Sequence, residues 1–85
     1  MSPVLIYTKN FCPYCHAAMD LLQRKKVAFK EISVDRDPLA QARMAAQAAG
    51  RSTVPQIFIG DTHVGGCDEL YALEGAGKLD PLLSR

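Results

Sequence analysis

The feature that most restricts the fold of this chain is an alternation of strand-like and helical patterns in its first half. The apolar run from Val4 to Tyr7 has the β-branched and aromatic character of a buried strand. A helical spacing of apolar residues extends from Cys15 to Leu22, and a second strand-like segment extends from Val27 to Val34. A strand, a helix and a strand in this order predict a parallel pair joined by a right-handed crossover. The fold class is therefore α/β.

The next segment predicts a second helix. It follows the turn-forming residues 35–38, and Leu39, Ala42, Ala46 and Ala49 share one face of an alanine-rich pattern. Gly50 ends the helix, because glycine readily adopts the left-handed conformation found after a helix C-terminus.

The remaining residues predict an antiparallel hairpin followed by helices. The runs 56–59 and 62–64 flank Gly60-Asp61, a two-residue loop of the kind that closes tight hairpins. Residues 67–74 have a helical pattern with acidic residues at its start, and a last short helix contains the leucines of 79–83. The predicted order is β-α-β-α-β-β-α, a four-stranded mixed sheet flanked by helices.

Size and charge exclude several classes of protein. Eighty-five residues have room for one domain, residues 1–85, with one modest core. Ten basic and nine acidic residues give a net charge of +1, so no overall field recruits nucleic acid or an acidic membrane. No apolar stretch approaches the roughly 20 residues of a membrane helix, and no basic leader precedes the first apolar run. We expect a cytoplasmic chain that recognises its substrate locally.

The cysteines carry the strongest chemical signal. Three cysteines are too few, and odd in number, for a secreted disulfide scaffold. Cys12 follows the first strand and opens the first helix, where unpaired N–H groups and the helix dipole favour a thiolate. Cys15 lies about one turn further in, is more shielded, and can resolve a mixed disulfide. Lys9 adds positive charge nearby.

A Cys-x-x-Cys pair is also half of a zinc site, which His16, His63 and Cys67 could complete. Structural zinc sites normally supply a second closely spaced pair, whereas His63 and Cys67 lie on opposite sides of Gly65-Gly66. We therefore expect no metal, and we expect Cys67 to be a small, half-buried apolar residue.

Two further motifs are ambiguous when each is taken alone. Thr53-Val54-Pro55 places a proline at a strand start, which indicates either a rigid turn or a special peptide geometry. Gly65-Gly66 before Cys67-Asp68 either simply starts a helix or exposes backbone donors to an anionic ligand.

Taken together, three motifs resemble the dithiol glutaredoxins, most closely the small bacterial type called glutaredoxin three. They are Y-T-K-x-x-C-P-Y-C from Tyr7 to Cys15, T-V-P from Thr53 to Pro55, and G-G-C-D from Gly65 to Asp68. The resemblance covers nearly the whole chain and implies a thioredoxin-like fold. It also implies a glutathione-dependent oxidoreductase that reduces protein disulfides and glutathione mixed disulfides.

The resemblance assigns roles to individual residues. Cys12 is the attacking thiolate, Cys15 the resolving thiol and Pro55 a cis-proline. Glutathione is a co-substrate rather than a permanently bound cofactor, and a helix start with a lysine suits its two carboxylates. Its implied contacts are Lys9, Tyr14, Thr53, Val54, Pro55, Gly66, Cys67 and Asp68. Many relatives also have a polar or basic residue on the second helix where this chain has Ala42, so Gln41 or Arg43 is the candidate substitute.

The implied partners are disulfide-bearing or glutathionylated proteins, ribonucleotide reductase among them, and a monomer without nucleic-acid or membrane partners is expected. Two alternatives stay open. A thioredoxin-like reductase served by a flavoprotein is disfavoured by the Pro-Tyr pair and the G-G-C-D turn. A protein that holds an iron-sulfur cluster through Cys12 and glutathione is disfavoured by Pro13, since cluster-binding relatives generally have another residue there.

Overall fold

The computed structural model describes residues 2–85, which form four strands and four helices. In chain order these are β1 (Val4–Thr8), α1 (Pro13–Arg24), β2 (Lys30–Ser33), α2 (Pro38–Gln47), β3 (Gln56–Ile59), β4 (Thr62–Gly65), α3 (Cys67–Gly75) and α4 (Leu79–Leu83). The strands make one sheet in the order β2-β1-β3-β4, in which β1 pairs in parallel with β2 and antiparallel with β3, and β3 pairs antiparallel with β4. The predicted element order and mixed four-stranded sheet are confirmed.

The larger core lies between one face of the sheet and three helices. Successive side chains of a strand point to opposite faces, so Val4 and Ile6 of β1 point to this face. They pack with Ile57 and Ile59 of β3 and with apolar residues of α1, α3 and α4. The helix that follows β1 is therefore fixed to the sheet along its length, which holds its first residues in place.

The other face of the sheet is covered by α2 alone. Its core consists of Tyr7, Val34, Ala40 and Met44. The face proposed from the sequence, which begins at Leu39, is the solvent face of α2, and its four residues are exposed. Alanines recur on both sides of this helix, so their spacing does not single out the side that packs on the sheet.

The end of α2 also differs in detail from the prediction. The helix ends at Gln47, and both Ala49 (φ 55°) and Gly50 (φ 87°) adopt left-handed conformations. The N–H of Gly50 donates to the carbonyl of Ala45 at 2.8 Å, the closing bond of a Schellman motif. Alanine thus occupies the first left-handed position, where glycine is usual.

The second strand is shorter than predicted, because β2 begins at Lys30 rather than at Val27. The chain turns at Lys26, which has a φ of 58°, and needs the following residues to pass from the end of α1 to the sheet. Val27 and Phe29 still pack against the larger core without pairing in the sheet. Their apolar character therefore reflects packing, not strand pairing.

The predicted hairpin and C-terminal helices are confirmed. Gly60 has a φ of 58° in the turn between β3 and β4, a conformation that glycine adopts without a steric penalty. α3 begins at Cys67. In α4, the side chains of Leu79, Leu82 and Leu83 are buried. Within residues 2–85, none of the helices combines the length and apolarity needed to cross a bilayer.

Candidate active site

The first cysteine of the motif caps the helix that carries it. Cys12 is the N-cap residue of α1, and Pro13 occupies the first helical turn, where its missing N–H costs nothing. The Cys12 Sγ accepts a hydrogen bond from the Cys15 backbone N–H at 3.2 Å. The sulfur is only partly exposed and lies where unpaired helix N–H groups converge. The sulfur therefore has the N-terminus of α1 and a backbone donor directly beside it.

The second cysteine has the opposite environment. The side chain of Cys15 has no exposed surface. Burial raises its pKa to about 12, and a hydrogen bond to the Cys12 side chain adds to the effect by favouring the protonated form. Cys15 is therefore a thiol at neutral pH, so Cys12 is the attacking sulfur and Cys15 can act only after it.

A groove of about 150 Å³ reaches the cysteine motif at Tyr14, where two loops meet. One loop contains the Val54–Pro55 peptide, which is cis as the resemblance implies, and the other is the start of α3. The groove is lined by Tyr14, Arg51, Thr53, Val54, Pro55, Gly66, Cys67, Asp68 and Glu69. The structure thus brings together seven of the eight residues predicted to contact glutathione.

Lys9 is the predicted contact that lies elsewhere. Its exposed side chain lines a different groove on the Phe11 side of the cysteine motif, together with His16 and Met19. Its contact with glutathione stays a prediction.

Two charged residues of the groove were missed by the sequence analysis as site residues. Glu69 accepts a hydrogen bond from the Gly66 N–H at 2.7 Å, and its Oε1 also accepts from Arg51 at 3.1 Å. The Gly66 N–H, and secondarily the Arg51 guanidinium, lower the pKa of the Glu69 carboxyl. Glutamate three residues after a helix N-cap is a recognisable signal, but nothing in the sequence around Arg51 indicates its place.

The same carboxylate explains one of the two glycines before α3. Gly65 has a φ of 112°, and a Cβ built on it would lie 2.5 Å from Glu69 Oε1. Any larger residue would displace the carboxylate that caps α3. The φ of 112° by itself strains any other residue here, and the contact with the flexible Glu69 carboxylate adds to that cost.

A buried amide supports the loop that carries the cis-proline. Gln56, which has no exposed surface, donates from Nε2 to the Thr53 carbonyl at 3.0 Å and to Thr53 Oγ1 at 3.2 Å. Its Oε1 lies 2.7 Å from His63 Nε2, which donates because an amide oxygen can only accept. His63 also stacks on Phe58, with ring centroids 4.9 Å apart. Neither residue was predicted to act on the site.

The second helix reaches the loop of the site through a hydrogen bond of Gln41, and Val54 packs against the core cluster that contains Ala40 and Met44. The Gln41 Nε2 donates to the Ser52 carbonyl at 3.0 Å, directly before the Thr53 to Pro55 loop. Ala42 and Arg43 are exposed. Gln41 therefore helps to hold the loop, while the proposed replacement of the usual contact by Gln41 or Arg43 stays a prediction.

The remaining cysteine, Cys67, lies in the groove. Among residues 2–85, His, Cys, Asp and Glu side chains do not form any group of three or more that could hold a metal ion. Cys67 is buried, its thiol is free, and burial raises its pKa. Cys67 lines the groove as a protonated, weakly polar residue.

A half-exposed sulfur at a helix start, a buried thiol one turn behind it and a cis-proline opposite define a thiol-disulfide oxidoreductase of the thioredoxin fold. Residues 4–64 match the family Glutaredoxin. This chain belongs to the glutaredoxin family.

The chain is similar to named relatives over almost its whole length. It is 62% identical to a glutaredoxin from Pseudomonas aeruginosa over 84 residues, which is 99% of both chains. It is 53% identical to glutaredoxin 3 from Escherichia coli K12 over 98% of this chain and 99% of that one. Among solved structures, the buckwheat glutaredoxin-glutathione complex superimposes with a TM-score of 0.87 at 32% identity, covering 98% of this chain and 77% of that one. The thioredoxin-like fold and the oxidoreductase assignment are confirmed.

Proposed function

We propose that this chain uses glutathione to reduce two kinds of substrate, glutathione mixed disulfides at Cys12 alone and protein disulfides through Cys12 and Cys15. The observation that carries the proposal is the position of Cys12 Sγ, which accepts the Cys15 N–H at the start of α1 beside the groove of Thr53 to Pro55 and Gly66 to Glu69. The buckwheat relative, solved with glutathione, supports the choice of reductant.

The first reaction needs only one cysteine. The Cys12 thiolate attacks the glutathione sulfur of a glutathionylated protein, a Cys12–glutathione disulfide forms, and the protein leaves as a thiolate that takes a proton from water. A second glutathione thiolate attacks the bound glutathione sulfur. Glutathione disulfide leaves, and Cys12 returns to its thiolate form.

The second reaction uses both cysteines. Cys12 attacks one sulfur of a protein disulfide and forms a mixed disulfide with the protein. Cys15 then loses its proton and attacks Cys12 Sγ, which releases the reduced protein and leaves a Cys12–Cys15 disulfide. Two glutathione molecules reduce that bond and become glutathione disulfide. Since burial disfavours ionisation of Cys15, this second attack begins only once Cys15 has lost its proton.

The groove supplies groups that match glutathione. The ligand has two carboxylates and one ammonium group, while the groove offers the Arg51 guanidinium, the N–H groups at the start of α3 and the exposed Asp68 carboxylate. The backbone of Val54, in the loop that Gln56 holds, is the natural partner of the cysteinyl unit. This division of charges orients the glutathione sulfur towards Cys12.

We propose further that the protein works in the cytoplasm as a monomer on disulfide-bearing or glutathionylated proteins, with ribonucleotide reductase as a candidate. Its three cysteines, too few and odd in number for a secreted disulfide scaffold, support a reducing compartment. Light scattering of the reduced protein at several concentrations tests the monomer, since a dimer would double the measured mass.

A coupled assay tests the function. NADPH consumption is followed with glutathione, glutathione reductase and the mixed disulfide of cysteine and glutathione, for the wild type, Cys12→Ser and Cys15→Ser. We expect Cys12→Ser to be inactive and Cys15→Ser to keep most of its activity. Loss of activity in both variants would contradict the one-cysteine reaction, and an inactive wild type would contradict the whole proposal.

A further inference from the structure

The residue directly before the attacking cysteine is an aromatic side chain that packs on nothing. Phe11 is 97% exposed, the most exposed large apolar residue of the described chain. Its backbone has a φ of 57°, a left-handed conformation that is unusual for an aromatic residue. A phenyl ring in water stabilises neither the core nor the loop, and at this position it is free to contact a substrate bound at Cys12.

The loop that presents Phe11 is anchored on the side that precedes it, and Cys12, the N-cap of α1, follows it. The Asn10 N–H donates to the Asp35 carboxylate beyond the end of β2. The Thr8 hydroxyl at the end of β1 donates to Glu31 at 2.7 Å. The backbone of Phe11 is therefore fixed between these hydrogen bonds and the start of α1, which places the side chain next to Cys12.

Phe11 forms the rim of a second groove, which we call the Phe11 groove. It has a volume of about 400 Å³ and is lined by Lys9, Asn10, Phe11, His16, Met19 and Glu31. It shares no lining residue with the groove proposed for glutathione. Phe11 and Met19 form the apolar part of this groove. The rest is lined by polar and charged residues. A tripeptide held in the first groove leaves the part of the second one formed by Phe11 and Met19 open, even where it reaches Lys9.

We propose that the Phe11 groove binds the polypeptide on one side of the substrate cysteine while that cysteine is disulfide-bonded to Cys12, and that it favours an apolar residue next to that cysteine. The inference rests on the proposed dithiol reaction. In a disulfide the two Cα atoms lie about 4.4 to 6.8 Å apart. The residue that flanks the substrate cysteine therefore comes within reach of the residue that flanks Cys12, which is Phe11.

The occupant follows from this covalent link. A small disulfide has no flanking residue and leaves the ring exposed, whereas a polypeptide must run over one side of Cys12. A leucine or phenylalanine beside the substrate cysteine would remove part of the Phe11 ring and of Met19 from water. Phe11 is thus a specificity residue for polypeptide substrates and has no role in the chemistry at the sulfur atoms.

The test compares three disulfides in the glutathione-coupled assay. Two are disulfide-linked dimers of short peptides that differ in one position, leucine or serine next to the cysteine, and the third is the mixed disulfide of cysteine and glutathione. The variants are Phe11→Ser, Phe11→Leu and, as a matched control, Leu39→Ser on the solvent face of α2, where Leu39 is 71% exposed.

We expect Phe11→Ser to lower kcat/KM for the leucine peptide roughly tenfold, the effect of burying about half of an aromatic side chain. The change should stay below about twofold for the serine peptide and for the small mixed disulfide, whose normal turnover also shows that the variant is folded. Phe11→Leu should keep most of the wild-type kcat/KM for the leucine peptide. Leu39→Ser should leave kcat/KM unchanged for all three disulfides.

Equal effects of Phe11→Ser on both peptides, or no effect on either, would overturn the inference. The same would follow if Leu39→Ser reproduced the loss. Failure of the proposed function has a different signature, because the wild type would then not turn over the small mixed disulfide at all.

Discussion

The two cysteines of the motif lie one helical turn apart and yet occupy opposite environments. Cys12 is partly exposed, and its sulfur accepts a backbone N–H at the start of α1. Cys15 has no exposed surface, and burial raises its pKa to about 12. Two identical side chains thus receive different reactivities from solvent access and hydrogen bonding alone. The order of attack follows from the packing of α1 on the sheet.

The largest expected difference between the two cysteines is in alkylation. With a pKa of about 12, only about 10⁻⁵ of Cys15 is thiolate near pH 7, and its sulfur is shielded as well. A short treatment of the reduced, native protein with iodoacetamide should label Cys12 alone, as read by peptide mass spectrometry. The same treatment in denaturing guanidinium should label all three cysteines. If Cys15 were labelled as fast as Cys12 in the native protein, the predicted difference in reactivity would be wrong.

The second expected effect is the pH dependence of the dithiol reaction. Burial persists when Cys12 is in a disulfide, so the pKa of Cys15 stays raised and its thiolate fraction grows about tenfold per pH unit. Release of a peptide from a Cys12 mixed disulfide, measured without glutathione by quenched mass spectrometry, should keep rising above about pH 9. An ordinary thiol, with a pKa of about 8.5, would level off there. A plateau below pH 9 is the contrary result.

A smaller effect separates the cysteines in stability. Cys15→Ser places a hydroxyl at a fully buried site and should lower the free energy of unfolding by about 1 to 3 kcal/mol. Cys12→Ser should change it by less than about 0.5 kcal/mol, because serine is a preferred N-cap residue. Urea unfolding of the reduced proteins measures both values. Equal losses would mean that burial does not distinguish the two positions.

The smallest expected effect concerns the N-terminus of α3. It is capped by the carboxylate of Glu69 in the same helix, whereas α1 is capped by the sulfur of Cys12. Glu69→Gln should lower the free energy of unfolding by about 0.5 kcal/mol, since the side chain is partly exposed. The folded pKa of Glu69 lies below its ordinary value of 4.5. Its contribution is therefore complete above that pH and disappears as the pH falls through the lowered pKa.

Urea titrations at pH values on both sides of this range check the prediction. The difference between Glu69→Gln and the wild type should shrink in acid. Ser84→Ala, in an exposed position at the end of α4, is a suitable control whose difference should not follow the same pH course. A constant difference for Glu69→Gln would show that its charge does not stabilise the start of α3.

Most of the fold followed from local patterns in the sequence. The hairpin was predictable because Gly60-Asp61 permits one tight turn, and the first helix because Pro13 and the spacing behind it define its start and buried side. The side of α2 that packs on the sheet was not predictable. Alanines lie on both sides of the helix, and the tertiary contacts of Met44 decide which side is buried. The start of β2 depends on the distance between the end of α1 and the sheet. No local sequence pattern predicts that distance.

The site was predictable where its chemistry depends on motifs and not where it depends on distant pairs. Cys12, Cys15 and the loop with Pro55 carry their own signals in spacing and residue type. Arg51 and Gln56 act through contacts with Glu69 and Thr53 that only the folded chain creates. A charged or amide side chain in a polar segment has too many possible partners for sequence alone to select one.

The hydrogen bonds of Ser2 have a practical consequence. Its N–H donates to the Leu83 carbonyl at 3.1 Å and its hydroxyl to the Leu82 carbonyl at 3.2 Å, so residue 2 and the end of α4 meet. This contact lies at the start of β1, whereas Cys12 follows the end of β1. The five extended residues of the strand span about 17 Å, so the two places lie at its opposite ends. A fluorescent reporter or an electrode linker attached at either place would leave both grooves open, which makes this small protein a suitable sensing element for disulfide chemistry.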